Sequence, residues 1–166
     1  MTTPTLEPIT FGELPLRIED VLALARQQAP ARLQADAAFR ERIAKGARFL
    51  DSLLDKEGVI YGVTTGYGDS CVVAVPLHHV EALPRHLYTF HGCGLGKLLD
   101  PAATRSVLAA RLQSLCQGVS GVRVELLERL QAFLEQDILP LIPEEGSVGA
   151  SGDLTPLSYV AATLSG

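Results

Sequence analysis

The apolar positions of this chain recur mostly at helical spacing, in blocks separated by proline and glycine. Between Leu16 and Ala29, Ile18, Val21, Leu22 and Leu24 fall on or near one face of a helix. Pro30 ends that helix, because it offers no amide hydrogen and its ring clashes with the preceding turn. Phe39, Ile43, Leu50, Leu53 and Leu54 predict a longer helix from about Leu33 to Leu54, with Gly58 as its stop. Asp100-Pro101 supplies a capping carboxylate followed by proline at the first helical position. The helix it opens runs to about Gln117, with Gly118 as C-cap and Val107, Leu108, Leu112 and Leu115 as its buried stripe. Arg123 to Asp137 is the clearest amphipathic segment, with Leu126, Leu127, Leu130, Phe133 and Leu134 facing one way. Thr155-Pro156 repeats the cap-then-proline signal and opens a last helix.

The stretches between these blocks read differently. Residues 1–16, with Pro4, Pro8, Gly12 and Pro15, form an extended lead-in with a short strand at Ile9–Phe11. Val59 to Asp69 is too rich in glycine, threonine, valine and tyrosine for a regular helix, and reads as a short strand entering a glycine loop. A further helix is expected over about His78 to Leu98, started or kinked by Pro84 and lightened or interrupted by Gly92, Gly94 and Gly96. Leu139 to Gly152 is irregular, and Glu144-Glu145 reads as a solvated loop. The expected fold is mainly α, with short strands and glycine-rich loops.

Composition narrows the classes. At 166 residues, one domain spanning 1–166 is expected, and a 47% hydrophobic content excludes a disordered chain. A net charge of −5 argues against a nucleic-acid-binding surface. No apolar run approaches the roughly 18 residues of a membrane span, so no membrane partner is expected. Met1 to Thr10 lacks the basic and apolar regions of a secretory signal, and the expected location is cytoplasmic. The last helix stops at Gly166 without a cap or polar tail, which predicts a piece of a longer protein.

Metal and nucleotide chemistry find little support. The three cysteines, Cys71, Cys93 and Cys116, are widely spaced and read as small buried thiols rather than a disulfide framework or a zinc pair. His79 and His86 sit two helical turns apart, too far to share one ion, and no acidic residue completes a site with His78 or His91. Gly92 to Gly96 follows a helix rather than a strand, so a dinucleotide loop is a weak reading, and no phosphate loop is present.

Gly149-Ala150-Ser151-Gly152-Asp153 is the segment that carries candidate chemistry. As a serine-hydrolase elbow it fails at its fifth position, where Asp153 replaces glycine. As a self-cyclising segment it fits. The Gly152 nitrogen can attack the Ala150 carbonyl carbon in a tight fold, since Gly152 has no side chain to block the approach and Ala150 is small. Loss of one water from the ring and of the Ser151 hydroxyl as a second leaves an exocyclic methylidene, an electrophile that no unmodified side chain supplies. The same tripeptide is also common in ordinary turns. Asp153 is read as capping the next helix or orienting the cyclising backbone.

The block Gly146 to Tyr159, GSVGASGDLTPLSY, resembles the signature of the aromatic amino acid ammonia-lyase family, which includes histidine, phenylalanine and tyrosine ammonia-lyases and related aminomutases. Tyr61 to Gly68, YGVTTGYG, matches a second family block, and Arg111-Leu112 through Gln117-Gly118-Val119-Ser120-Gly121 a third. The resemblance implies the N-terminal part of the ammonia-lyase fold, without its C-terminal helical bundle. It implies that Ala150, Ser151 and Gly152 form 4-methylideneimidazole-5-one, and that Tyr61 is the base removing the β-proton, with Gly68 in a supporting place. Phe90 and His91 fall where the family sets substrate choice, Phe90 matching phenylalanine-lyases and His91 histidine-lyases. The implied activity is elimination of ammonia from histidine, tyrosine or phenylalanine to the trans-α,β-unsaturated acid by a homotetramer. The alternatives are an aminomutase of the same family and a non-catalytic N-terminal module. A buried tyrosinate needs donors or positive charge around it, because a free tyrosine ionises near pH 10.

Overall fold

The computed structural model describes residues 6–12, 14–56, 58–149 and 152–166. Its elements run β1 (Ile9–Phe11), α1 (Ile18–Ala25), β2 (Ala31–Leu33), α2 (Ala37–Lys56), a 3-10 turn (Gly68–Val72), α3 (Leu77–Val80), α4 (Leu83–His91), β3 (Leu95–Leu98), α5 (Pro101–Leu115), α6 (Val124–Gln136), β4 (Pro143–Glu145) and α7 (Leu154–Ser165). The chain is mainly α, as the apolar periodicity predicts.

Helix α5 is the centre of the packing. Asp100 caps it by accepting the Ala103 amide at 2.8 Å, and Pro101 takes the first helical position. Its buried residues Leu108, Ala109, Leu112 and Leu115 meet Leu24 of α1, Phe39 and Ile43 of α2, Leu127, Leu130 and Leu134 of α6, and Val160 of α7 in one apolar cluster. Burial of each such leucine is worth roughly 1.5–3 kcal/mol. Strands β1 and β2 pair in parallel, Ile9 opposite Ala31 and Phe11 opposite Leu33, and place Phe11 in the same core.

A polar clamp crosses that core. Arg105 of α5 is buried, donates to the Ala25 carbonyl at 2.9 Å and contacts the Asp137 carboxylate at 2.8 Å through Nε and a terminal nitrogen. It thereby joins the ends of α1 and α6 to the central helix.

Several elements depart from the sequence expectation. Helix α1 ends at Ala25, five residues before Pro30, because Gln27 turns left-handed at φ 55°. Ile18 lies on its exposed side. Ala31–Leu33 is strand rather than helix, and α2 starts after Asp36, whose carboxylate accepts the Phe39 amide. The expected strand at Val59 does not form, and the single 78–98 helix breaks into α3, α4 and strand β3. Gly92 ends α4, and β3 pairs antiparallel with β4, which puts the exposed Glu144-Glu145 on a strand rather than a loop. Helix α7 begins at Leu154 with Asp153 at the cap position, so Thr155 and Pro156 sit inside its first turn, where amide hydrogens lack helical partners anyway. Cys116 is buried as expected, but Cys71 and Cys93 are exposed. No helix among the described residues is long and apolar enough to cross a membrane.

Candidate functional site

Between Val59 and Leu99 the only buried residues are Thr64 and Thr65. The loop carrying Tyr61 is therefore shaped by hydrogen bonds rather than by an apolar core. The Thr64 hydroxyl accepts the Ile60 amide at 2.6 Å, and the Thr65 hydroxyl accepts the Gly62 amide at 3.1 Å and donates to the Gly66 carbonyl at 3.0 Å. The Gly66 amide donates to Val73 and the Val75 amide to Thr64, which closes the loop on the segment after the 3-10 turn.

Tyr61 stands at the edge of this frame with 64% of its surface exposed. Its hydroxyl accepts the Gly68 amide hydrogen at 3.0 Å. Tyr67 meets it edge to face, with ring centroids 6.2 Å apart and planes at 84°, and donates its own hydroxyl to the Gly62 carbonyl at 3.0 Å. Burial, and secondarily the proximity of Tyr61, raise the ionisation of Tyr67 above the usual tyrosine value.

Phe90 and His91 close α4. Phe90 is exposed and His91 half-buried, and their rings meet edge to face at 5.1 Å. Gly94, three residues later, donates its amide to the Tyr159 hydroxyl at 2.9 Å. Because α4 also packs along α7, the Phe90-His91 end and the segment leading into α7 share one side of the molecule.

Ala150 and Ser151 lie outside the described residues. Gly152, which follows them, has φ +74°, and a Cβ built there would meet no heavy atom within 4 Å. The positive φ suits glycine. Asp153 is exposed and makes no capping bond through its side chain, while its carbonyl accepts the Leu157 amide at 3.0 Å.

A cleft of about 360 Å³ opens among α4, α5, α6 and α7, lined by apolar side chains such as Leu87, Leu126, Leu157 and Leu164, with Arg111 and Asp153 as its charged members. Tyr61, Phe90 and His91 do not line it. The structure thus joins Tyr61 to Gly68 by a hydrogen bond and Phe90 to His91 by a ring contact, while Gly152 and Asp153 lead into α7. Among the described residues, no three His, Cys, Asp or Glu side chains come together as metal ligands would. Sequence reasoning missed Tyr67 and Tyr159 as tethers. Both lie inside the quoted motifs, but their partners, Gly62 and Gly94, are visible only in the folded chain.

The profile of the family described as aromatic amino acid lyase matches residues 16–166. Histidine ammonia-lyase of Sorangium cellulosum is 41% identical over 155 residues, covering 92% of this chain and 30% of that protein. Histidine ammonia-lyase of Symbiobacterium thermophilum is 38% identical over 91% of this chain and 29% of its own length. Among solved structures, tyrosine aminomutase from Streptomyces globisporus superposes with a TM-score of 0.84 at 34% identity, over 95% of this chain and 29% of that one. The chain therefore spans about 30% of the length of the curated relatives it matches.

Proposed function

Because the chain belongs to the aromatic amino acid lyase family, we propose that it carries the electrophile-forming and proton-abstracting part of an enzyme that eliminates ammonia from an aromatic L-amino acid. The observation that carries this reading is the Tyr61 hydroxyl accepting the Gly68 N–H, and Gly152, the last of the three ring-forming residues, holds a left-handed φ of +74°.

Ala150, Ser151 and Gly152 would form 4-methylideneimidazole-5-one, which supplies an electrophilic carbon for the substrate. Tyr61 takes the β-proton on its phenolic oxygen, which the Gly68 amide holds in place by its hydrogen bond. Phe90 and His91 bear on the substrate ring, through an apolar face and a hydrogen-bonding imidazole. Asp153 sits beside the ring-forming residues and orients their backbone. No metal or nucleotide enters this reaction.

Tyr61 and Phe90 are both largely exposed, as are the apolar side chains of Val72, Val73, Leu77, Leu95 and Leu98. As the resemblance to the family implies, the reading sets catalysis in a cytoplasmic homotetramer of lyase-length subunits, with this segment alone lacking part of the site. An aminomutase is the second reading, favoured by the 34% identity to the Streptomyces globisporus enzyme. A non-catalytic module is the third, favoured by the openness of Tyr61.

The test is incubation of a lyase-length protein bearing this segment with histidine, tyrosine and phenylalanine, with ultraviolet detection of urocanate, coumarate or cinnamate. One of these products is expected, and Ser151→Ala removes it. No unsaturated acid from any of the three contradicts the lyase reading, and a β-amino acid in its place supports the aminomutase.

A further inference from the structure

We propose that Tyr67 is a positioning residue for Tyr61: its hydroxyl, anchored on the Gly62 carbonyl, fixes the loop so that the Gly68 amide meets the Tyr61 oxygen. This inference rests on the reading of Tyr61 as the base, and it assigns a task to a side chain that touches no substrate.

The geometry forms a closed circuit. Tyr61 and Gly62 are adjacent, and so are Tyr67 and Gly68. The Tyr67 hydroxyl reaches back to Gly62 at 3.0 Å, while the Gly68 amide reaches back to Tyr61 at 3.0 Å. Two antiparallel tethers thus span the same gap, and the edge-to-face ring contact fills the space between them. Gly62 is part of the device. It holds φ +72°, and a Cβ there would come within 2.9 Å of the Tyr67 ring, so only glycine lets the ring lie against the backbone.

Exposed hydrogen bonds are individually weak, worth about 0.5–1.5 kcal/mol each. The Gly68–Tyr61 bond is exposed, whereas the Tyr67–Gly62 bond is partly buried. The buried tether holds the exposed one. Burial also keeps the Tyr67 proton on its oxygen to higher pH than an ordinary tyrosine, so the donor to Gly62 persists. The other titratable groups on the adjoining 3-10 turn, Asp69 and Cys71, are exposed.

The experiment compares the Gly68 amide by NMR in the unsubstituted chain, in Tyr61→Phe and in Tyr67→Phe. Tyr61→Phe removes the acceptor and defines the signal of the broken bond. With Tyr67→Phe, the Gly68 amide is expected to take the chemical shift of the Tyr61→Phe chain and to exchange about three- to tenfold faster than in the unsubstituted chain. The Gly66 and Val75 amides, bonded to Val73 and Thr64, keep their protection. Gly62→Ala, which pushes the ring away, gives the same Gly68 signature by a second route. A Gly68 amide unchanged in Tyr67→Phe overturns the proposal, as does simultaneous loss of protection at Gly66 and Val75, which assigns Tyr67 a purely structural role. No substrate is involved, so failure of the lyase reading, seen as absence of product, is separate from failure here.

Discussion

The Gly94 amide donates to the Tyr159 hydroxyl at 2.9 Å, across 65 residues of sequence. This bond ties the turn after Phe90-His91 to the helix that begins just beyond the ring-forming residues. Tyr159→Phe keeps the ring and removes the acceptor. It is expected to lower stability by about 1 kcal/mol, the ordinary cost of one lost hydrogen bond, measured by urea unfolding. Amide exchange should quicken first at Gly94.

Arg105 sets a larger stake. Its guanidinium is buried and holds both the Asp137 carboxylate and the Ala25 carbonyl. Removing one partner of a buried pair leaves the other without compensation, a loss of about 3–5 kcal/mol when both are fully buried. The Asp137 side chain is 38% exposed, so water relieves part of this. Arg105→Ala is expected to cost about 2–3 kcal/mol in the same unfolding measurement, with α1 loosening before α5.

How much of this was legible in the sequence depends on where the instructions lie. Helices α5 and α6 read well because their own residues carry the signal: an Asp-Pro start for α5, and leucines at helical spacing in both. Strand β2 was unreadable, because Ala31-Arg32-Leu33 is strand only through pairing with Ile9–Phe11 and through the Gln131 side chain accepting the Leu33 amide at 3.0 Å. The long helix expected over 78–98 failed at Gly92 and Gly94, where the Gly94 amide donates to the Tyr159 side-chain hydroxyl on α7 and the residues that follow pair with β4. Of the candidate site, Tyr61, Phe90, His91 and Ala150–Gly152 were named from motif positions, but the Tyr67–Gly62 tether depends on side-chain placement that no spacing rule encodes. Cys71 and Cys93 were misread as buried because cysteine composition alone says nothing about a loop that lacks a core beneath it.

Gly46, in the interior of α2, has a packing reason. A Cβ there would lie 2.8 Å from the Gly118 carbonyl oxygen. Alanine gains up to about 1 kcal/mol of helix propensity, but overpacking against backbone costs about 1–3 kcal/mol. Gly46→Ala is therefore expected to be destabilising on balance, with the 117–121 turn displaced. A gain in the urea midpoint contradicts this packing account.

The three thiols should separate by reactivity. Cys116 is fully buried, and burial pushes its ionisation up to about 12, with the nearby Arg42 charge opposing. Cys71 and Cys93 are exposed. A thiol reagent at pH 8 is expected to label Cys71 and Cys93 in the folded chain and Cys116 only after denaturation. The unfolded Cys116 thiol ionises near 8.5 while the folded one stays neutral. Its burial therefore adds stability below that pH, and the contribution fades as pH rises above it toward the folded value.

The central claim is that Ala150, Ser151 and Gly152 close on their own main chain. The most direct measurement is the intact mass of the purified chain, with fragmentation of the peptide spanning residues 146–159. The account predicts a mass lower than the sequence mass by two water molecules, the deficit confined to Ala150–Gly152 and absent in Ser151→Ala. A full-mass, linear Ala-Ser-Gly in the folded chain would contradict it.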